Sequence, residues 1–454
     1  MASPLSKPLA ELAAGLRAGA FTAADLAEEA LAQQRLGAYH HVDPERTRAG
    51  ARAADAAFAA GRDLGPLQGL PLSVKDLYGV PGFPIHAGSP ARLPARFEAA
   101  GPLLGRALDQ LAVVTGKTHT VEFAFGGVGT NPHYPTPRNP WDADAPRAPG
   151  GSSAGAGVSL AEGSAVVAFG TDTAGSVRIP AAWTGQVGMK TTKGRWSTEG
   201  IVPLSTTLDT PGVLTRTVAD QIVAFRALDP APGPLPSVAL EGLRLGRCDA
   251  VFFEECSPGV AEAVEEALAE LAGAGARVRP LELPMLPEIV ALFGQGGPVS
   301  TELYFFLREE LPDWYAGLDP NVQARIGDAG NLPAHEYLRR RARMAALGAE
   351  AAAALEAVDV LVTPTVANTP PRLDAIATTE SYKPANLLCL RNTCVVSYLG
   401  LCALTLPCGR DAAGMPVGLQ LVAGPHQEER LLAVARAIEA KLGSAAERLG
   451  APPL

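Results

Sequence analysis

Cysteine is scarce and unevenly placed: six residues among 454, none before Cys248. Four of them, Cys389, Cys394, Cys402 and Cys408, lie close together. Their spacing lacks the paired C-x2-C of a zinc site, and a chain this long has no need of a disulfide framework. They read as buried thiols, and no metal is expected. Charge is also thin, at 19% of residues, with 38 Lys+Arg against 47 Asp+Glu for a net charge of −9. Without a basic block, neither nucleic acid nor an anionic membrane is expected as a partner. No apolar run approaches the roughly 20 residues needed to span a bilayer. The first thirty residues interrupt their apolar part with Glu11, Arg17 and Asp25. They therefore lack the uncharged core of a signal peptide, and the cytoplasm is the expected location. Histidine is rare too, with seven residues. His86, His119, His133, His335 and His426 are scattered, with no companion acid in a recognisable catalytic frame.

What is present is a large apolar fraction, 47% of the chain. Such a composition excludes a disordered or solvating polymer and favours a globular protein with a substantial core. The length accommodates up to three units or one large α/β domain. Thr22 with Asp25 predicts a capped helix from Ala23 to Gln34. Asp43-Pro44, an Ala-rich run and Gly61 predict a second. Short apolar runs at 69–74, 111–115 and 165–169 predict buried strands. The Pro-rich segment 229–237 predicts a surface crossing. Beyond it, 243–247 and 278–283 read as strands flanking a helix started by Ser257-Pro258, with Val260, Val264, Leu268 and Leu271 at helical spacing. Residues 285–335 mix aromatics, acids and glycines without one period, which fits a lid, a substrate-shaping insertion or irregular helices. A long helix over 341–358 and a strand at 360–363 follow. No internal repeat is present.

Three segments combine the residue types that nucleophilic catalysis needs. They are Leu72-Ser73-Val74-Lys75-Asp76, Pro149-Gly150-Gly151-Ser152-Ser153, and Gly170 to Pro180, which contains Gly175-Ser176. Each alone is ordinary: a solvated strand end, a flexible turn, a loop before a helix. Together they supply a serine on a tight turn after a strand, backbone N–H groups beside it, and a lysine that burial can render neutral and basic.

At this point the chain resembles the amidase signature hydrolases. The resemblance rests on GLPLSVKD at 69–76, VEFAFGGVGTNPHYPTPRNP at 121–140, PGGSSAGAG at 149–157 and GTDTAGSVRIPAAWTGQVGMKTTKGR at 170–195. It continues through LDTPGVLTRTVAD at 208–220, DVLVTPT at 359–365 and LPCGRDAAGMPVGLQLVAG at 406–424. It implies a single α/β domain over 1–454, a central mixed sheet of about eleven strands covered by helices. Within it lie N-terminal helices at about 5–61, a signature core at about 69–220 and a variable substrate-shaping segment at about 285–335. It implies Ser176 as nucleophile, Ser152 after a cis peptide as proton relay and Lys75 as base, with no cofactor. Thr173, Ala174 and Gly175, together with Ser176, would form the oxyanion hole, and Phe125, Gly126 and Gly127 would contact substrate. The implied activity is hydrolysis of amide C–N bonds, with carbamates and esters as further substrates, by a monomer or homodimer acting on small molecules. A neutral or apolar acyl group is expected, with Phe305, Phe306, Trp314 and Tyr315 as further pocket aromatics.

The chain departs from the family pattern in three places. Ala154 and Ala174 stand where glycine is usual, and His86 where a small hydroxyl residue is common. Two alternatives remain. One is a glutaminase subunit of a tRNA-dependent amidotransferase. The other is an α/β-hydrolase elbow, since Gly151 to Gly155 matches G-x-S-x-G with Ser153 as nucleophile, although the polar, Pro-rich residues before it do not read as a strand.

Overall fold

Local capping chemistry sets the first helices. In the computed structural model, which describes residues 3–142 and 145–453, the Thr22 hydroxyl accepts the Asp25 N–H and the Asp25 carboxylate answers the Thr22 N–H. This capping box opens the helix Ala23–Ala32. Asp43 caps Pro44–Ala59 in the same manner through the Arg46 N–H. The third start differs from expectation. Helix Val260–Gly273 is preceded by Gly259 at φ +89°, with Glu262 accepting the Gly259 N–H. The Ser257 hydroxyl instead accepts the N–H of Thr369.

Among the described residues eleven strands form one mixed sheet: β1 Tyr39–His41, β2 Pro71–Lys75, β3 Val113–Thr118, β4 Val167–Asp172, β5 Val187–Lys190, β6 Thr210–Thr215, β7 Arg244–Arg247, β8 Arg277–Pro280, β9 Val360–Pro364, β10 Cys402–Arg410 and β11 Pro416–Ala423. Their order is β1-β3-β2-β4-β6-β5-β10-β11-β9-β7-β8. The strands expected from apolar runs are all present, with bounds moved by a few residues because ladder pairing, not composition, ends a strand. Parallel pairing of β3, β2 and β4 places Leu72 beside Val167 and Val74 beside Phe169. Lys75 and Asp172 therefore leave the sheet at the same edge, where loops beyond strand C-termini gather chemistry in open α/β sheets. Antiparallel β6 and β5 continue the sheet toward β10.

Apolar layers cover both faces. One core holds Val74, Phe169, Val213, Leu404 and Leu419 beneath the N-terminal and C-terminal helices. The other holds Leu286, Leu303, Val322, Leu347 and Tyr398. The ambiguous 285–335 stretch is helical: Leu286–Gly294, Val299–Glu310, Pro312–Tyr315 and Pro320–Ile326. The helix expected from 341 begins earlier, at Ala334, and runs to Ala354 before a 3-10 turn. Residues 229–237 connect Val218–Leu228 to β7 without regular structure. Among the described residues no helix is long and apolar enough to cross a membrane.

Candidate active site

β2 is buried along its whole length, so its last residue, Lys75, enters the interior with no solvent exposure. The Lys75 Nζ donates to Ser152 Oγ at 2.7 Å and Thr171 Oγ1 at 2.8 Å. Burial drives its pKa down from the ordinary lysine value to about 7. The nearby Asp209 and Asp172 carboxylates oppose that shift without cancelling it. Ser152 is reached through a cis Gly151-Ser152 peptide bond.

Ser176 sits on the loop between β4 and the helix Arg178–Thr184. Asp172 organises this loop. Its carboxylate accepts the Gly175 N–H at 2.7 Å and forms a fork with Arg178, Nε to Oδ2 and Nη2 to Oδ1, both at 2.9 Å. Burial alone would raise the Asp172 carboxyl, but the Arg178 guanidinium holds it below the usual range. Gly175 has φ +136°, and a Cβ there would lie 2.1 Å from Thr393 Oγ1. Only glycine fits. Thr393, on the helix Thr379–Tyr398, fixes the loop by donating to the Ala174 carbonyl at 2.7 Å. Thr173 is held through its hydroxyl to Asp209 at 2.5 Å.

The structure thus gathers Lys75, Ser152 and Ser176, with two revisions. First, the Gly175 N–H is committed to Asp172. The unbonded backbone donors on this loop are those of Thr173, Ala174 and Ser176. Gly175 therefore offers this loop shape, and its N–H is not free for the oxyanion role expected of it. Second, the Ser152 and Ser176 hydroxyls form no hydrogen bond to each other. Ser176 is instead anchored through its carbonyl, which accepts from the Ser153 N–H at 3.3 Å and the Ser153 hydroxyl at 2.5 Å. That bond commits the Ser153 hydroxyl to the Ser176 carbonyl, and among the described residues no strand immediately precedes Ser153 as a nucleophile elbow requires. Neither Ala154 nor Ala174 has positive φ, so alanine is unstrained at both positions.

Ser176 opens into a cavity of about 550 Å³. Phe125 and Gly126 line it, but Gly127 does not. The Gly127 N–H donates to Asn386 Oδ1, and a Cβ there would press on Cys389 and Leu390. The expected pocket aromatics are also displaced. Phe305 is exposed, Phe306 packs on Phe97, Trp314 donates to the Ala91 carbonyl, and Tyr315 stacks on Tyr304. Phe293, Tyr382 and Tyr398 line the cavity instead. Two cationic residues of its lining have no carboxylate partner among the described residues, Lys383 on the helix Thr379–Tyr398 and Arg325 on Pro320–Ile326. The guanidinium lies 3.7 Å from the Phe125 ring centroid and donates to the Phe125 carbonyl at 2.8 Å. Arg340 also lines the cavity but is paired with Glu336.

Sequence reasoning missed Thr171, Asp172, Arg178 and Asp209 as supports, although the first three lie inside the motif that flagged Ser176. Thr393 and Arg325 carry no local signal, because each acts only through a tertiary contact.

A buried lysine on a serine hydroxyl, beside a second serine that lines a cavity among free N–H donors, is an arrangement that can support attack by a serine hydroxyl. Residues 20–432 match the family described as Amidase, so the chain belongs to the amidase family and is an amidase-family hydrolase acting on C–N bonds. It is 52% identical to a protein described as 2-amino-5-chloromuconic acid deaminase from Comamonas testosteroni, over 98% of both chains. It is 33% identical to a glutamyl-tRNA(Gln) amidotransferase subunit of Anaeromyxobacter dehalogenans (strain 2CP-C), over 98% of this chain and 97% of that one. Among solved structures it matches one described as a crystal structure of amidase, with TM-score 0.85 and 32% identity, covering 96% of this chain and all of the other.

Proposed function

We propose that the protein hydrolyses the C–N bond of a small, carboxylate-bearing substrate and releases its nitrogen as ammonia, with Ser176 as nucleophile, Ser152 as relay and Lys75 as base. The observation that carries this reading is the fully buried Lys75 amine bonded to Ser152 beneath the cavity that Ser176 lines. Neutral Lys75 takes the Ser152 proton while Ser152 takes that of Ser176, whose Oγ attacks the carbonyl carbon bearing nitrogen and pushes the C=O electron pair onto oxygen. The N–H groups of Thr173, Ala174 and Ser176 receive the charge that develops on oxygen, each such donor contributing about 2.7–4 kcal/mol in a comparable hydrolase. Collapse returns the proton through Ser152 to the leaving nitrogen, and water then releases the enzyme by the same route. Esters follow the same path, since their leaving group needs less protonation.

Arg325 turns the substrate expectation from neutral toward anionic. A guanidinium always carries its charge, and in an apolar-walled cavity it recognises carboxylate by paired hydrogen bonds. The deaminase relative, whose substrate is named as an acid, supports this direction. The six free cysteines fit a reducing cytoplasm. The glutaminase-subunit reading rests on relatives near one-third identity, such as the amidotransferase chain. It requires partner chains, whereas this proposal requires a monomer or homodimer to be active alone.

Two measurements test the proposal. Fluorophosphonate treatment followed by intact-mass and peptide analysis is expected to give one adduct on Ser176, absent in Lys75→Ala. An adduct on Ser153, or none on folded protein, would overturn the mechanism. Ammonia release from carboxylate-bearing and uncharged amides tests the substrate class. Arg325→Met is expected to raise KM by about 10–100-fold for the former, with kcat within a few-fold, and to leave the latter unchanged.

A further inference from the structure

His86, the departure from the family pattern that the sequence left unexplained, faces His40 across the sheet edge, with His40 Nε2 and His86 Nδ1 2.8 Å apart. Asp76, at the end of β2, completes a group whose ligand-capable atoms all lie within 4.8 Å of one another. None of the three lines the cavity above Ser176. We propose that His40, His86 and Asp76 form a binding site for a divalent transition ion of the zinc type, separate from the hydrolytic centre and not foreseen from the cysteine pattern.

Two imidazole nitrogens 2.8 Å apart share a single proton, which one ring donates and the lone pair of the other accepts. A shift of that N–H to the ring's far nitrogen exposes both. Tetrahedral zinc with Zn–N of about 2.0–2.1 Å sets ligand atoms roughly 3.3 Å apart. The histidine pair must open slightly and the carboxylate close in, both within the freedom of side chains that are half-buried at His40 and His86.

Asp76 is buried and held by backbone on one side, its Oδ2 accepting the His86 N–H at 3.1 Å. Its Oδ1 has the Lys117 ammonium 2.9 Å away but outside hydrogen-bond alignment, so that oxygen is charge-balanced yet without a hydrogen-bond donor. Lys117 also donates to the Tyr78 carbonyl, so it keeps a partner if the carboxylate turns to a metal. Its charge lowers the affinity, which makes this a weaker site than an all-anionic one. The rings of His119 and Tyr134 stand against His40, with centroids 5.7 and 4.4 Å away. Two histidines, one carboxylate and an open fourth position fit zinc or cobalt better than magnesium or calcium, which prefer all-oxygen shells.

The test uses the full chain dialysed against chelator. Titration with Co²⁺ is expected to produce the visible d–d bands of a low-symmetry site, and calorimetry with Zn²⁺ one equivalent bound. His86→Thr, which installs the small hydroxyl residue common in the family, and His40→Ala are each expected to weaken Zn²⁺ binding at least about tenfold. Replacement of the exposed His335 by alanine should leave it unchanged. In the wild-type protein, Zn²⁺ is expected to protect His40 and His86, and not His335, from diethyl pyrocarbonate, a readout that needs no variant to fold. Absence of binding, binding unaffected by His86→Thr, or protection spread equally over all three histidines would each overturn the site.

Discussion

Lys75 owes its proposed basicity to position. On a solvated strand end it would stay protonated at neutral pH, whereas at the buried end of β2 its pKa falls to about 7. The base acts in its neutral form, so kcat/KM is expected to climb with pH through about 7 and level off above it. A pH profile measured on an ester substrate, where leaving-group protonation matters least, checks this. Lys75→Ala should lose both activity and the ascending limb. Sequence was informative at this scale because a lysine closing an apolar strand and a serine following Gly are local patterns. It was silent on Asp172, whose carboxylate takes the Gly175 N–H and removes it from the proposed oxyanion site. Which N–H groups remain free depends on side chains folded back over the loop, and spacing does not encode that.

Helices and turns act here as holders of other elements. The Ser176 loop is clamped by Thr393 of the helix Thr379–Tyr398, leaving no room for a side chain at Gly175. Gly175→Ala is expected to cost roughly 1–3 kcal/mol in urea unfolding and to reduce kcat by at least about 100-fold, because the loop must shift to admit the methyl group. A second hold links the 3-10 turn Glu122–Ala124 to the helix that carries Arg325. Glu122 Oε2 accepts the Asp319 N–H at 2.6 Å, and Asp319 caps Pro320–Ile326 through Asn321. Burial raises the Glu122 pKa to about 8, and the Asp319 N–H bond opposes that rise without cancelling it. The folded protein then keeps a proton that the unfolded chain releases near its ordinary value, so this group's stabilisation is complete at low pH and is lost as pH rises toward 8. Glu122→Gln is expected to flatten that decline, read as the difference in Tm between wild type and variant across pH 5 to 8. The capped helices near the N-terminus were legible because their caps are three residues apart. The helices of 285–335 were not, since their apolar positions face several partners and show no single period.

At the scale of the whole molecule, one eleven-stranded sheet brings the β2 and β4 ends to one edge, and distant helices roof the cavity there. A complete cavity within one chain predicts turnover without partners. Gel filtration with activity measured across the eluate should place hydrolysis in a peak at the mass of one or two chains, and activity only after adding amidotransferase partner chains would favour the glutaminase reading. The sequence by itself determined the family, the mixed α/β class and the proposed Lys75, Ser152 and Ser176 set, because tight turns, buried strands and a lysine at a strand end are written in contiguous residues. Only the tertiary structure decided that Arg325 enters the cavity, that Gly127 and the Phe305 to Tyr315 aromatics stay out of it, and that His86 meets His40. Those outcomes depend on which faces of sequence-distant elements pack together, a property of the assembled core that no short stretch of chain contains.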